Sequence, residues 1–110
     1  LARLSDPAYT IYVTHAPPYA TELDVVYNGR HMGSRSLRKF IEHYNPPLTL
    51  HGHIHESHHM TNEIKDRIGV TVCINPGQSK QVLHAVTIDM AGNDIRRIVS
   101  YPKNEAILVR

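Results

Sequence analysis

Apolar and polar positions change period several times along this chain, and each change marks an element. Residues 10–14, Thr-Ile-Tyr-Val-Thr, form an unbroken β-branched and aromatic run that predicts a buried strand. His15-Ala16-Pro17-Pro18 ends it, because two prolines cannot continue a central strand. Residues 19–33 have no periodicity and are punctuated by Gly29 and Gly33, which predicts a long loop of the kind that carries function in compact domains. Leu37, Phe40, Ile41 and Tyr44 then recur at i, i+3, i+4 and i+7, one apolar face of a helix capped by Ser34 or Ser36 and stopped by Asn45-Pro46-Pro47. Residues 48–51 predict a second strand, broken at Gly52, and residues 71–75 a third, ending in Pro76-Gly77. Residues 82–90 and 95–101 alternate around Ala91-Gly92-Asn93-Asp94 as a hairpin, and residues 105–109 predict one more strand.

The order strand, helix, strand is that of a β-α-β crossover, which is parallel and almost always right-handed. The expected class is therefore α/β, a parallel unit followed by mostly antiparallel strands. In open α/β sheets ligands bind beyond the carboxyl ends of parallel strands. His15 lies just past the first strand and Gly52-His53-Ile54-His55 just past the second. Connectivity alone brings both groups to one edge of the sheet.

Composition narrows the function classes. A chain of 110 residues with 41% hydrophobic content is one core-forming domain and not a disordered segment. A net charge of +2 without a Lys/Arg block gives no nucleic-acid footprint, though it suits an anionic phosphate substrate. No apolar run is long enough to span a membrane, so no membrane partner is expected. The single cysteine, Cys73, sits in an apolar run and reads as a buried core thiol. A reducing cytoplasm is the expected compartment.

Nine histidines are present, and His51, His53, His55, His58 and His59 fall in one short stretch. Histidine is the commonest metal ligand. In an extended segment His53 and His55 point the same way, with roughly 6–7 Å between their alpha carbons, and Gly52 permits a turn that aims them inward. His51 is expected to be structural, His58 and His59 to lie in a solvated loop, His43 to face solvent, and His84 to sit on a half-buried strand. His31, between Gly29 and Gly33, is the candidate substrate-binding residue. Asn75 is expected to cap the Asn-Pro-Gly turn and touch the site, and Glu56 to hold a histidine ring by its free N–H.

Four stretches occur here in a familiar order: residues 12–18 (Tyr-Val-Thr-His-Ala-Pro-Pro), the helix that follows Gly33, residues 52–56 (Gly-His-Ile-His-Glu) and residues 74–77 (Ile-Asn-Pro-Gly). Together they resemble calcineurin-like metallophosphoesterases. The resemblance implies a four-layer α/β sandwich with two divalent metal ions, Mn, Fe or Zn, that clamp a phosphoester and lower the pKa of a bridging water. It implies His15 and His53 as ligands of one metal and His55 of the other. The Asp-x-His, Gly-Asp and Gly-Asn-His motifs of that family, which carry the bridging aspartate and the acid histidine, do not occur. Residues 1–110 are thus expected to form the C-terminal half of such a domain, inactive alone as a phosphoesterase. Residues 10–14 and 48–51 would then lack sheet neighbours, and either the missing N-terminal half or a second copy in a homodimer would be the partner. Two readings compete. One is a stand-alone module in which three histidines hold a metal without catalysis. The other is a metallo-β-lactamase-like hydrolase, against which Ser57 stands where that pattern needs aspartate.

Overall fold

A computed structural model describes residues 6–109. Strand β1 (Ile11–Thr14), helix α1 (Arg35–Tyr44) and strand β2 (Leu48–His51) form the expected unit, with β1 and β2 parallel. The helix begins where sequence chemistry places it. The Ser34 hydroxyl accepts a hydrogen bond from the Leu37 N–H at 3.1 Å, which satisfies one of the free donors of the first turn. It ends at Asn45, which adopts the left-handed conformation and returns its N–H to the Ile41 carbonyl.

Strand β4 (Thr71–Ile74) pairs in parallel with β2, and β3 (Lys65–Ile68) closes the far side antiparallel to β4. The sheet order is β1-β2-β4-β3. Strands β5 (Ala85–Ala91), β6 (Asp94–Tyr101) and β7 (Glu105–Ile107) form a separate antiparallel sheet. Three layers result, and the fold is α/β. On one face of the first sheet, Ile41 of α1 packs with Leu23, Ile68 and Cys73. On the other, Leu48, Val72 and Ile74 meet Ile98 of β6, with Val86, Ile88 and Ile95 around them.

Besides a single 3-10 turn at Pro7–Tyr9, two elements were not expected. Helix α2 (Ser57–Thr61) carries no apolar periodicity and is fixed by hydroxyls, since Ser57 and Thr61 both donate to the Glu22 carbonyl. Strand β3, Lys-Asp-Arg-Ile, is mostly polar, as suits an edge strand that resists further pairing. The hairpin begins at Ala85 instead of residue 82, and the last strand stops at Ile107. The expectation that both early strands lack neighbours fails for β2, which is paired on both sides. Strand β1 is at the end of the sheet and pairs with β2 alone among the described residues.

Candidate functional site

The register of β1 against β2 sets the site. Thr14 lies opposite His51, so both strands end at one level and His15 and Gly52 leave the sheet together. The Gly52 N–H donates to the His15 carbonyl at 3.0 Å, which ties the two departing segments. The rings of His15 and His53 follow, with centroids 4.6 Å apart and planes inclined by 52°.

The turn itself differs from expectation. The residue in the left-handed region is His53, at φ 63°, and not Gly52. The Ile54 N–H bonds to the Gly52 carbonyl at 2.7 Å, closing a three-residue turn around His53. The segment is therefore not extended, and the same-side argument for His53 and His55 does not apply. His53 joins His15, whereas His55 stays exposed with its carbonyl accepting from the Gln78 N–H. Among the described residues no three His, Cys, Asp or Glu side chains stand close enough to hold a metal. Two imidazoles suit a shared divalent ion, but they make only half of a tetrahedral donor set.

Asn75 anchors this edge. Its buried side-chain amide donates to the carbonyl of Ile54, between the two histidines, at 2.9 Å and to the carbonyl of Leu23 at 3.0 Å. Its Oδ1 accepts from the Gly77 N–H, the turn-capping contact expected from the sequence. One side chain thus joins the end of β4, the His-x-His segment and the long loop.

His51 is structural. Its Nδ1 lies 2.8 Å from the Thr14 hydroxyl and 3.2 Å from the Ala16 carbonyl; that carbonyl only accepts and the Thr14 hydroxyl donates to it, so Nδ1 carries the proton and Nε2 accepts from the Thr49 hydroxyl at 2.7 Å. Burial pushes its pKa down to about 4, against an opposing contribution from the Ala16 carbonyl. The ring is a neutral strut that links the end of β2 to the backbone just past His15.

The long loop is ordered around a residue that the sequence reading missed. Asp24 is fully buried. Its Oδ1 accepts from the Thr21 N–H at 3.0 Å and from His31 Nδ1 at 2.6 Å. Its Oδ2 accepts from the N–H groups of Ala20 and Gly33 at 3.0 and 2.9 Å. The available signal was indirect: a loop of this length needs an internal anchor for its backbone donors, and a short acidic side chain within it can supply one.

The remaining histidines fall elsewhere. His58 and His59 lie in α2 and not in a solvated loop, because Ser57 and Thr61 fix that turn. Both ring nitrogens of His58 are buried and meet no hydrogen-bond partner among the described residues. Burial, then the neighbouring His59 and His84, lowers the pKa of His58. His58, His59 and His84 line a cleft of about 490 Å³ against the second sheet. His84 precedes β5 and is half-buried, and His43 is exposed beside Tyr44. The Glu56 side chain makes no hydrogen bond to a histidine among the described residues.

The chain is similar to the uncharacterized protein MJ1162 of Methanocaldococcus jannaschii, 44% identical over 68 residues. That match covers 58% of this chain and 29% of the relative, so the chain spans less than a third of the relative's length. No family model and no solved structure matches. Among the described residues no helix is long and apolar enough to cross a membrane.

Proposed function

We propose that this chain supplies the histidine ligands of a divalent-metal phosphoester hydrolase of the calcineurin-like kind. The observation that carries the proposal is the meeting of His15 and His53 at the carboxyl ends of two parallel strands, tied by the bond from Gly52 to the His15 carbonyl. The left-handed backbone of His53 supports it. A non-glycine residue there costs about 1–2 kcal/mol, and such strain gathers at functional sites. His55, two residues on and exposed, is the third proposed ligand.

When bound, a divalent ion there supplies a Lewis acid for phosphoryl oxygens. The chain's own part is to hold the imidazoles. The neutral His51 strut fixes the backbone past His15, and Asn75 fixes the backbone between His53 and His55. The carboxylate ligands of such a centre come from outside the described residues, in keeping with a relative more than three times the matched length. We accordingly place the bridging aspartate, the second metal and the acid histidine in a longer protein, in a reducing compartment suited to the free thiol of Cys73.

Calorimetric titration of Zn²⁺ into the 110-residue chain tests the reading. His15→Ala and His53→Ala are each expected to weaken binding by about 100-fold, at the upper end of what loss of even an outer-shell partner does. His43→Ala is expected to leave it unchanged. Zn²⁺ affinity indifferent to both substitutions would overturn the proposal. The chain alone is expected to hydrolyse p-nitrophenyl phosphate poorly, and rapid turnover by it would refute the placement of the missing groups.

A further inference from the structure

The two edges of the first sheet are finished differently. At β3 the edge residues are Lys-Asp-Arg-Ile, a charged strand that resists further pairing. At β1 they are Ile-Tyr-Val-Thr, with no charge, no proline and no bulge, and the strand pairs with β2 alone among the described residues. One face of β1 is also uncovered. Ile11 and Val13 are 45% and 77% exposed, although their neighbours in register, Leu48 and Leu50, pack in the cluster that contains Ile98 of β6.

Strand alternation puts Tyr12 and Thr14 on the opposite face, where β1 and α1 leave a hollow of about 330 Å³. Tyr12, Leu37 and Phe40 supply its apolar wall, and Thr14, Ser34 and Ser36 its hydroxyls. The Tyr12 ring meets Phe40 edge-on, with centroids 5.1 Å apart. Tyr12 is only 6% exposed, and its hydroxyl is buried with no hydrogen-bond partner among the described residues. A buried tyrosine hydroxyl normally has one. Strand β1 thus lacks a backbone partner on its edge and an apolar cover on one face. On the other face it borders a hollow, and one residue of that wall carries an unpartnered hydroxyl.

We propose that β1 accepts an extended polypeptide strand from outside the described residues. A bulky apolar side chain of that strand sits in the hollow between β1 and α1, and further apolar side chains cover Ile11 and Val13. In strand addition the backbone supplies affinity, and pockets for alternate side chains supply selectivity. A small molecule in the hollow would leave the edge N–H and C=O groups unpaired. A second copy of the chain can pair through its own β1, but it brings no side chain for the hollow. Its Tyr12 is packed on its own Phe40, and its Thr14 hydroxyl donates to its own Ala16 carbonyl. The occupant is therefore a strand of different sequence, apolar at successive positions, as a strand buried on both faces requires. The relative MJ1162 has chain enough beyond the match to supply one, since the match takes up 29% of its length. The inference is independent of the metal reading.

The probe is a terminally blocked peptide, Lys-Val-Leu-Val-Leu-Val-Lys, titrated in its monomeric range into the 110-residue chain. Proton–nitrogen NMR and amide hydrogen exchange follow the binding. Saturable shifts are expected at the amides of β1 and on the Tyr12 and Phe40 rings, with slower exchange along β1. A peptide with proline in place of the central valine should not bind, since proline cannot continue the ladder. A peptide with alanine in place of both leucines should bind more weakly by about tenfold or more, the effect of losing a buried leucine side chain. Ser36 is exposed and lines the hollow. Ser36→Trp, checked for folding by circular dichroism, should erase the difference between the leucine and alanine peptides. Absence of binding, equal binding of the three peptides, or shifts confined to residues away from β1 overturns the inference. Self-association in light scattering that the leucine peptide does not reverse would make a second copy the occupant, and the inference would fall.

Discussion

Single residues here show how a position can serve the site at a cost to the fold. His53 sits at φ 63°. His53→Gly removes that strain and His53→Ala keeps it, so the glycine variant is expected to be more stable by about 1 kcal/mol in urea unfolding. Both should lose Zn²⁺ affinity equally. Equal stability of the two variants would show that the turn is unstrained. Cys73 gives a second residue-level test. Burial pushes its thiol up to about 11 from 9.0, with a small opposing hydrogen bond from Thr49. Because the folded pKa is the higher one, the folded state holds the proton more tightly. Its stabilising effect is full below pH 9 and is lost as pH rises from about 9 to 11, by roughly 3 kcal/mol. Cys73→Ser should flatten the fall in urea midpoint over that window, and iodoacetamide should leave the wild-type thiol unmodified at pH 8. The sequence showed Cys73 as a core thiol because its neighbours are all apolar. It could not show the strain at His53, since glycine in the preceding position is the usual bearer of such a turn.

At the scale of elements, Asn75 couples three segments that are far apart in the chain. Asn75→Ala removes two donated hydrogen bonds and one accepted one and leaves the carbonyls of Leu23 and Ile54 without these partners. The expected cost is about 2–4 kcal/mol by urea unfolding. Zn²⁺ affinity should fall as well, because the backbone between His53 and His55 is released. A variant as stable as wild type would show that the three segments are held by packing alone. The strands and α1 were legible because their periodicity and caps are local properties. Residues 57–61 and 65–68 were not, since their polar side chains act only through partners such as Glu22 and β4. The same limit hid Asp24, whose role depends on Gly33, nine residues away, and on the imidazole of His31. The convergence of His15 with His53 was legible from strand order, while the place of His55 was not, because the turn at His53 breaks the extended spacing.

For the whole molecule, the two faces of the first sheet are covered at β2 and β4, one by α1 and its loop and the other by β6 and its neighbours. At β1 both an edge and a face are open. Strand β1 has no outer partner among the described residues, and Ile11 and Val13, in register with Leu48 and Leu50 on the face that β6 covers farther along, are exposed, Val13 to 77%. Such an edge pairs with another chain when it is neither charged nor bulged. The 110-residue chain is expected to self-associate at micromolar concentration in light scattering, and Val13→Lys to make it monomeric. A wild-type chain that stays monomeric would show that the edge is protected by means other than pairing.

The ties made by Asn75 also bear on biosynthesis. A nascent chain displays His15, His31, His53 and His55 well before residue 75 leaves the ribosome. Until then nothing fixes the carbonyls of Leu23 and Ile54, and β2 lacks its second parallel neighbour. The histidines are translated early but become a defined constellation late, after β4 has docked. Metal capture by the growing chain is therefore expected to be loose and reversible, and tight binding to begin only once the Asn-Pro-Gly turn is in place.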